Sequence, residues 1–364
     1  MSQTMRESWV DYAKGIGILL VVFGHVNRGL QAAGIIMPSK LYHLVDSIIY
    51  SFHMPLFFFL SGLFFIKSIE KKGKLLLFID KFKTIAYPYL VWSLLQGTIE
   101  VLLSRFTNSK TSFTDLLMLF SHPRAQFWFL YALLMIFVLS IIIYSKRFFE
   151  RGIIVLFVIF SCVYIYSDKI GTVYNINYIN QYMVFFVLGV FFNKFKLDDF
   201  FSKQLSGHYL FAIAVFLFMA FLYSQYYFHF ELKLHYFNIG IASLCLAFIS
   251  IFFIVSVSLA IGRIHFPLLS LLGEMSMIIY LLHILVASGS RVILMKVLHV
   301  NDWIAHLTIG LLAGIIIPIL IYQYIKNTKE GANKQVISSQ ADSLIKISRI
   351  WADFFPANTS NQPI

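Results

Sequence analysis

The chain has 364 residues, of which 59% are hydrophobic and only 13% charged, and its mean hydropathy is +0.79. Soluble domains carry about 25% charged residues, so this chain has too few polar side chains to cover a globule in water. Apolar runs of roughly 17 to 25 residues repeat along it, each long enough to cross the hydrocarbon core of a bilayer. The composition therefore predicts an integral membrane protein, and one made of helices because helices satisfy their own backbone hydrogen bonds in lipid.

The net charge of +12 would suit a nucleic-acid partner, but the positions of the basic residues argue against one. Lys and Arg occupy the short loops between apolar runs, where they orient a membrane protein. The two cysteines, Cys162 and Cys245, lie in separate apolar runs and predict neither a disulfide framework nor a metal site. The first apolar run has no small-residue cleavage site, so we expect a retained helix.

The apolar runs predict an all-α, polytopic bundle of about ten transmembrane helices. In chain order we expect them at residues 8–27, 45–66, 83–104, 127–144, 152–167, 180–193, 208–225, 238–261, 267–289 and 303–325. Basic residues concentrate in the loops after the even-numbered helices, as in the segment 67–74. The positive-inside rule then places both termini in the cytoplasm. No internal repeat is evident, which argues against an inverted-repeat transporter.

Composition divides the chain into a membrane domain, residues 1–326, and a polar cytoplasmic tail, residues 327–364. Within the tail, Leu344, Ile347 and Trp351 fall on one helical face. That pattern is typical of a short amphipathic helix on the membrane surface. A tail without fixed structure fits the composition equally well.

The first predicted helix carries three ionisable residues that mark it as a candidate site. Such groups cost at least about 2.5 to 3.5 kcal/mol each at the bilayer centre, so their presence indicates function. Lys14 and His25 are separated by ten residues, which places them within roughly 20° of one face and about 16 Å apart along the axis. Asp11 precedes Lys14 by three positions, a spacing that permits an ion pair. The alternative is a lysine that reaches the interface and an interfacial histidine.

Three further predicted helices carry polar or amphipathic residues. His53 lies in the outer half of the second and, taken alone, suits a packed or interfacial histidine. Trp128 and Tyr131 open the fourth, where an interfacial aromatic belt is expected and a platform that stacks on a sugar is the alternative. The ninth carries Glu274, which can pair with a cation such as Lys14, and His283.

The predicted topology sorts these residues into two groups. Those toward the outer face are His25, His53, Trp128 and His283, and those toward the cytoplasm are Lys14, Lys81, Lys83 and Tyr87. A cationic inner end suits an anionic donor that carries phosphates. Histidines at the outer end suit proton transfer at neutral pH. The arrangement predicts a group-transfer reaction across a membrane.

These residues resemble the motifs of a known family. The run from Asp11 to His25 resembles the opening helix of the membrane-bound acyltransferase family 3, with a basic residue, ten intervening positions and a histidine. Residues 52–62, 127–130 and 276–283 resemble its later motifs in the same order, and the likeness spans residues 8–325. Lys14 stands where arginine is more usual in the wider family. Lysine with a preceding aspartate is similar to the fucose 4-O-acetylase-like branch.

The resemblance implies an O-acyltransferase, with acetyl as the expected acyl group, in the bacterial cytoplasmic membrane. The donor would be cytoplasmic acetyl-CoA, with no permanently bound cofactor, and the acceptor a sugar hydroxyl on a surface glycan or its lipid-linked precursor. The resemblance assigns His25 as the catalytic histidine and Lys14 as the basic residue. From the predicted topology we expect His53 and His283 to act beside His25, and Lys81, Lys83 and Tyr87 to bind the donor with Lys14. We also expect Trp128 and Tyr131 at the acceptor, and Asp11 and Glu274 in support.

Other functions remain open at the level of sequence. His25 can act as a general base or can carry the acyl group transiently. A carrier or flippase for a glycan or lipid-linked intermediate would account for the helices and the buried polar groups. A membrane subunit that only scaffolds a polysaccharide-assembly complex is a third hypothesis. The sequence indicates no nucleic-acid partner and leaves the oligomeric state open.

Overall fold

A computed structural model describes residues 2–35, 37–102, 118–119, 121–170, 175–201, 205–264 and 266–331. This part of the chain is helical and contains no strand. The helices are α1 (Ser2–Ala32), α2 (Ser39–Tyr50), α3 (His53–Gly62), α4 (Phe65–Lys81), α5 (Tyr87–Leu102), α6 (Trp128–Ile143), α7 (Lys146–Ile165), α8 (Ser167–Ile170), α9 (Asn177–Lys194), α10 (Leu197–Asp199), α11 (Gly207–Tyr226), α12 (Ile241–Ile261), α13 (Pro267–Glu274), α14 (Ser276–Val292) and α15 (Trp303–Gly331).

Seven helical segments in the described ranges are long and apolar enough to cross a membrane. They are Trp9–Ala32, Ser39–Gly62, Ala125–Ile143, Gly207–Glu231, Ile241–Ile261, Ser276–Val297 and Trp303–Asn327. They support the expected multi-pass membrane protein. Helices α5, α7 and α9 lie at three other predicted positions but are not among the seven, so the total of about ten stays a prediction, as does the orientation. The predicted surface helix of the tail lies outside the described residues.

Two of the predicted membrane helices are interrupted. The one expected at 267–289 is two helices, because α13 ends at Glu274 and α14 begins at Ser276, with Met275 between them at φ −88° and ψ 3°. The second span begins at Ser39 and breaks at Ser51–Phe52, so that His53 starts α3. Pro55 lies in the first turn of α3, where a missing backbone N–H breaks no helical hydrogen bond.

Helix α1 lies at the centre of the bundle, in contact with α3, α12, α13, α14 and α15. Glycines bring its backbone close to that of α13. A Cβ atom at Gly15 would overlap the carbonyl oxygen of Leu269, and one at Gly273 would overlap that of Asp11. Small residues at such crossings permit close helix packing without a hydrophobic driving force between helices. The position of the helix that carries Lys14 and His25 is therefore strongly constrained.

Candidate functional site

A cavity of about 620 Å³ lies at the end of the bundle where α1 carries His25, called here the His25 cavity. Its polar and charged lining residues include His25, Arg28, Glu100, His283, Arg291 and His306, and the rest of its wall is mainly aliphatic. Small-molecule sites commonly enclose about 300 to 1,000 Å³ and combine apolar walls with a few polar groups. His25 is a partly exposed residue of the cavity wall, so a ligand in this cavity can reach it.

The three predicted catalytic histidines lie close together in the structure. The ring centroids of His25 and His283 are 5.2 Å apart. Tyr50 lies between His25 and His53, with its ring centroid 6.5 Å from that of His25 and 4.6 Å from that of His53. His53 and His283 are both fully buried, but of these two only His283 lines the cavity with His25. Their catalytic roles stay predictions.

Backbone contacts fix the orientation of two of these imidazoles. His53 donates from Nδ1 to the carbonyl oxygen of Ile49 at 2.7 Å, and His283 from Nδ1 to those of Ile279 and Tyr280 at 3.0 and 2.8 Å. A carbonyl oxygen only accepts, so in the neutral ring Nε2 carries the lone pair. Both Nε2 atoms are buried and have no hydrogen-bond partner among the described residues. Each is available to accept a hydrogen bond or a proton.

An ion pair that the sequence did not indicate holds Tyr50 in place. Arg28, one turn after His25 on α1, donates two hydrogen bonds to Asp46, at 2.6 and 2.8 Å, and a third to the hydroxyl of Tyr236 at 2.9 Å. Its guanidinium carbon lies 3.2 Å from the centroid of the Tyr50 ring. The pair thereby fixes Tyr50 between the cation and the histidines, and ties α1 to α2.

A second polar network reaches the cavity from α5. Glu100 accepts hydrogen bonds from Arg124 at 2.8 Å and from Gln96 at 2.9 Å. The amides of Gln96 and Gln126 bond each other in both directions, at 2.7 and 3.3 Å. Tyr280 donates to the backbone carbonyl of Gln126 at 2.6 Å. The sequence offered one indication of this network, because its amide and carboxylate side chains lie within or beside predicted membrane helices.

At the opposite end of α1, Lys14 and Asp11 form an ion pair with an N–O distance of 2.5 Å, and both side chains are buried. Pairing at this spacing was expected. Glu274, the alternative partner of Lys14, is exposed at the end of α13. The residue before it, Gly273, contacts the backbone of Asp11. The Glu274 carboxylate therefore lies near the Lys14–Asp11 ion pair.

The other predicted donor-binding residues differ in burial. Lys81 is buried, with its Nζ atom 3.9 Å from a carboxylate oxygen of Asp80 and 4.8 Å from the centroid of the Phe137 ring. Lys83 and Tyr87 are exposed. Their contact with a donor stays a prediction.

The predicted acceptor platform packs within an aromatic cluster of its own. The ring of Trp128 stacks on Tyr178, with centroids 5.5 Å apart and planes at 18°. Tyr131 lies 5.7 Å from Tyr89 and 6.3 Å from Tyr178 between ring centroids. Among the described residues that line the His25 cavity, neither Trp128 nor Tyr131 is present. Their role at an acceptor stays a prediction.

The seven apolar segments and the histidine-lined cavity describe a multi-pass membrane protein with a candidate active site between its helices. A family model described as an acyltransferase domain matches residues 7–323. The chain therefore belongs to acyltransferase family 3 and is a membrane acyltransferase, which confirms the resemblance to that family. The fucose 4-O-acetylase-like branch stays a prediction. No curated protein and no solved structure matches the chain.

Replacing Asp46 by Asn should destabilise the His25 end of the bundle, because the Arg28 guanidinium would lose its compensating carboxylate. We expect the melting temperature of the purified protein in detergent to fall by roughly 3 to 5 °C. The matched control is Glu231→Gln, since the Glu231 carboxylate accepts a hydrogen bond at 2.9 Å from Tyr226 between two exposed side chains, where such contacts contribute little. Equal shifts for the two variants would contradict a structural role for the Arg28–Asp46 pair.

Proposed function

We propose that this membrane acyltransferase is an O-acetyltransferase that moves acetyl from acetyl-CoA to a sugar hydroxyl bound in the His25 cavity. The acceptor is a surface polysaccharide or its lipid-linked precursor, and the protein works in the bacterial cytoplasmic membrane. The observation that carries this proposal is that His25 lines a cavity of about 620 Å³ and that its ring packs against a second imidazole. Membership of an acyltransferase family does not favour the carrier hypothesis.

His25 supplies the acid–base chemistry that such a transfer needs. Its neutral ring takes the proton of the sugar hydroxyl while the oxygen attacks the thioester carbonyl. A C–O bond forms, the C–S bond breaks, and the departing thiolate takes the proton back to give CoA. A transient acyl-imidazole on His25 gives the same products in two steps and releases CoA before the acceptor reacts. In both routes the His283 ring packs beside the His25 ring and helps to orient it, with 5.2 Å between the two ring centroids.

The donor, on this proposal, enters at the Lys14 end of α1 and must reach His25 roughly 16 Å further along the helix. Buried Lys14 and Lys81 provide positive charge for its phosphates. Between the two ends lies a void of only about 10 Å³, bounded by Ile18 and Val21 of α1 and by Met54, Phe57, Phe129, Ser276 and Tyr280. That is about the volume of one water probe, so the donor arm has to displace these side chains.

His25→Ala should abolish ester-linked acetate on the cell-envelope glycan, because on this proposal His25 is the group that takes the proton of the acceptor hydroxyl. We expect the transfer rate to fall by at least roughly 100-fold. The measurement is NMR of glycan from cells with and without each variant, alongside the amount of protein in the membrane.

The matched control is His43→Ala, because His43 is an exposed histidine of α2. Wild-type acetate in the His25→Ala cells, at equal protein level, would contradict the assignment of His25. Loss of the glycan itself, rather than of its acetate, would favour the scaffold hypothesis.

A double variant separates donor binding by Lys14 from simple pairing with Asp11. Lys14→Gln alone leaves a buried carboxylate without its cation, so it should destabilise the protein. Asp11→Asn combined with Lys14→Gln removes both charges and should restore the melting temperature. If Lys14 also neutralises a donor phosphate, the double variant still binds acetyl-CoA about tenfold more weakly than the wild type. Wild-type affinity in a folded double variant would restrict Lys14 to a structural role.

A further inference from the structure

The charges around the His25 cavity do not cancel. Arg28 is compensated by Asp46 through two hydrogen bonds, and Glu100 is compensated by Arg124 at 2.8 Å. Arg291 is the remaining cation of the wall. No carboxylate of a described residue lies within ion-pair distance of it. The described wall therefore carries one uncompensated positive charge.

Arg291 is anchored in a way that leaves most of its guanidinium available. It donates from one Nη atom to the backbone carbonyl oxygen of Gly29 at 2.7 Å, which fixes the side chain but does not neutralise it. The side chain is only partly buried. A guanidinium offers five N–H donors in a planar fork that matches a carboxylate or a phosphate. The arrangement is suited to an oxyanion beside His25.

His306 provides an independent indication of a ligand in the same cavity. Its ring forms part of the wall and is almost fully buried, with 1% of its surface exposed. It donates from Nε2 to the carbonyl oxygen of Val300 at 2.8 Å, so Nδ1 carries the lone pair in the neutral ring. This Nδ1 atom has no hydrogen-bond partner among the described residues. A ligand hydroxyl is the kind of group that satisfies it.

We propose that Arg291 and His306 form an acceptor subsite for an acidic sugar, in which Arg291 binds a carboxylate or phosphate and His306 accepts a hydroxyl. The inference rests on the proposed function, and it specifies the acceptor of that same site as an anionic polyol. A neutral sugar leaves the charge of Arg291 without a partner in a mainly aliphatic cavity, which is unfavourable. An acidic sugar compensates it and holds the remaining hydroxyls near His25.

The test uses the full chain in nanodiscs of zwitterionic phosphatidylcholine. Binding constants are measured by calorimetry for glucuronate, galacturonate, glucose 1-phosphate and galactose 1-phosphate, and for the methyl glycosides of glucose and galactose. The variants are Arg291→Gln, Arg291→Lys, His306→Ala and the control Lys296→Gln. Lys296 is an exposed cation five residues further along the chain from Arg291. Acetyl-CoA binding is measured on the same samples.

We expect at least one acidic sugar to bind roughly tenfold or more tightly than its neutral counterpart. Arg291→Gln should remove that preference, Arg291→Lys should keep part of it, and Lys296→Gln should leave it unchanged. His306→Ala should weaken acidic and neutral sugars alike. The uronates and the sugar phosphates distinguish a carboxylate from a phosphate as the bound group.

The proposal is overturned if no acidic sugar binds, if neutral sugars bind as tightly, or if Arg291→Gln keeps the preference. It is also overturned if anionic phosphatidylglycerol in the nanodisc abolishes the preference, since Arg291 would then be a lipid contact. A different result would show that the proposed function itself is wrong. In that case the wild type does not bind acetyl-CoA, whatever the sugar measurements give.

Discussion

Polar side chains inside an apolar helical bundle must find partners, because an unpaired charge or hydrogen-bonding group away from water is costly. In the part of the chain that the structure describes, several charged and amide side chains do so through short, specific pairs. The pairs are Lys14 with Asp11, Arg28 with Asp46, Arg124 with Glu100, and Gln96 with Gln126. Against that background, the groups without partners stand out. They include Nε2 of His53 and His283, Nδ1 of His306, and the charge of Arg291, and three of these four residues line one cavity.

Helix α1 connects the two ends of the proposed reaction. It carries the buried Lys14–Asp11 pair about three turns after its start at Ser2, and His25 about two turns before its end at Ala32. Glycine contacts with α13 fix its position, and Arg28 ties its last turns to α2. These contacts constrain the position of α1, so on the proposed function a donor that extends along it has to move the side chains of its neighbours. The narrow void beside Ile18 and Val21 indicates where that movement occurs.

The features that sequence reasoning predicted well are those set by helical geometry alone. Ten residues between Lys14 and His25 place them on one face at opposite depths, and the i, i+3 spacing of Asp11 and Lys14 yields their ion pair. The proximity of His283 to His25 followed from counting helices, since both fall at the same end of the predicted topology.

The features that the sequence did not predict depend on contacts between segments that are distant along the chain. The first predicted helix ends before Arg28, and the partners of Arg28, Asp46 and Tyr236, lie 18 and 208 positions away along the chain. No proline lies at the break between α13 and α14 at Met275, so the sequence pattern does not predict it. In the sequence His306 is one more histidine near the start of a helix. Only the structure shows that its Nδ1 atom is buried without a hydrogen-bond partner among the described residues.

If donor and acceptor meet at His25 from opposite ends of α1, as proposed, then transfer in proteoliposomes depends on the side to which the donor is added. Because α1 begins at Ser2, an N-terminal tag reports the Lys14 side of a proteoliposome. Acetyl-CoA, which is too highly charged to cross a bilayer, is added to one side and a glycan acceptor to the other. The account predicts that acetyl ester forms only when acetyl-CoA is on the side of the tag. Equal transfer when acetyl-CoA is confined to the His25 side would contradict it.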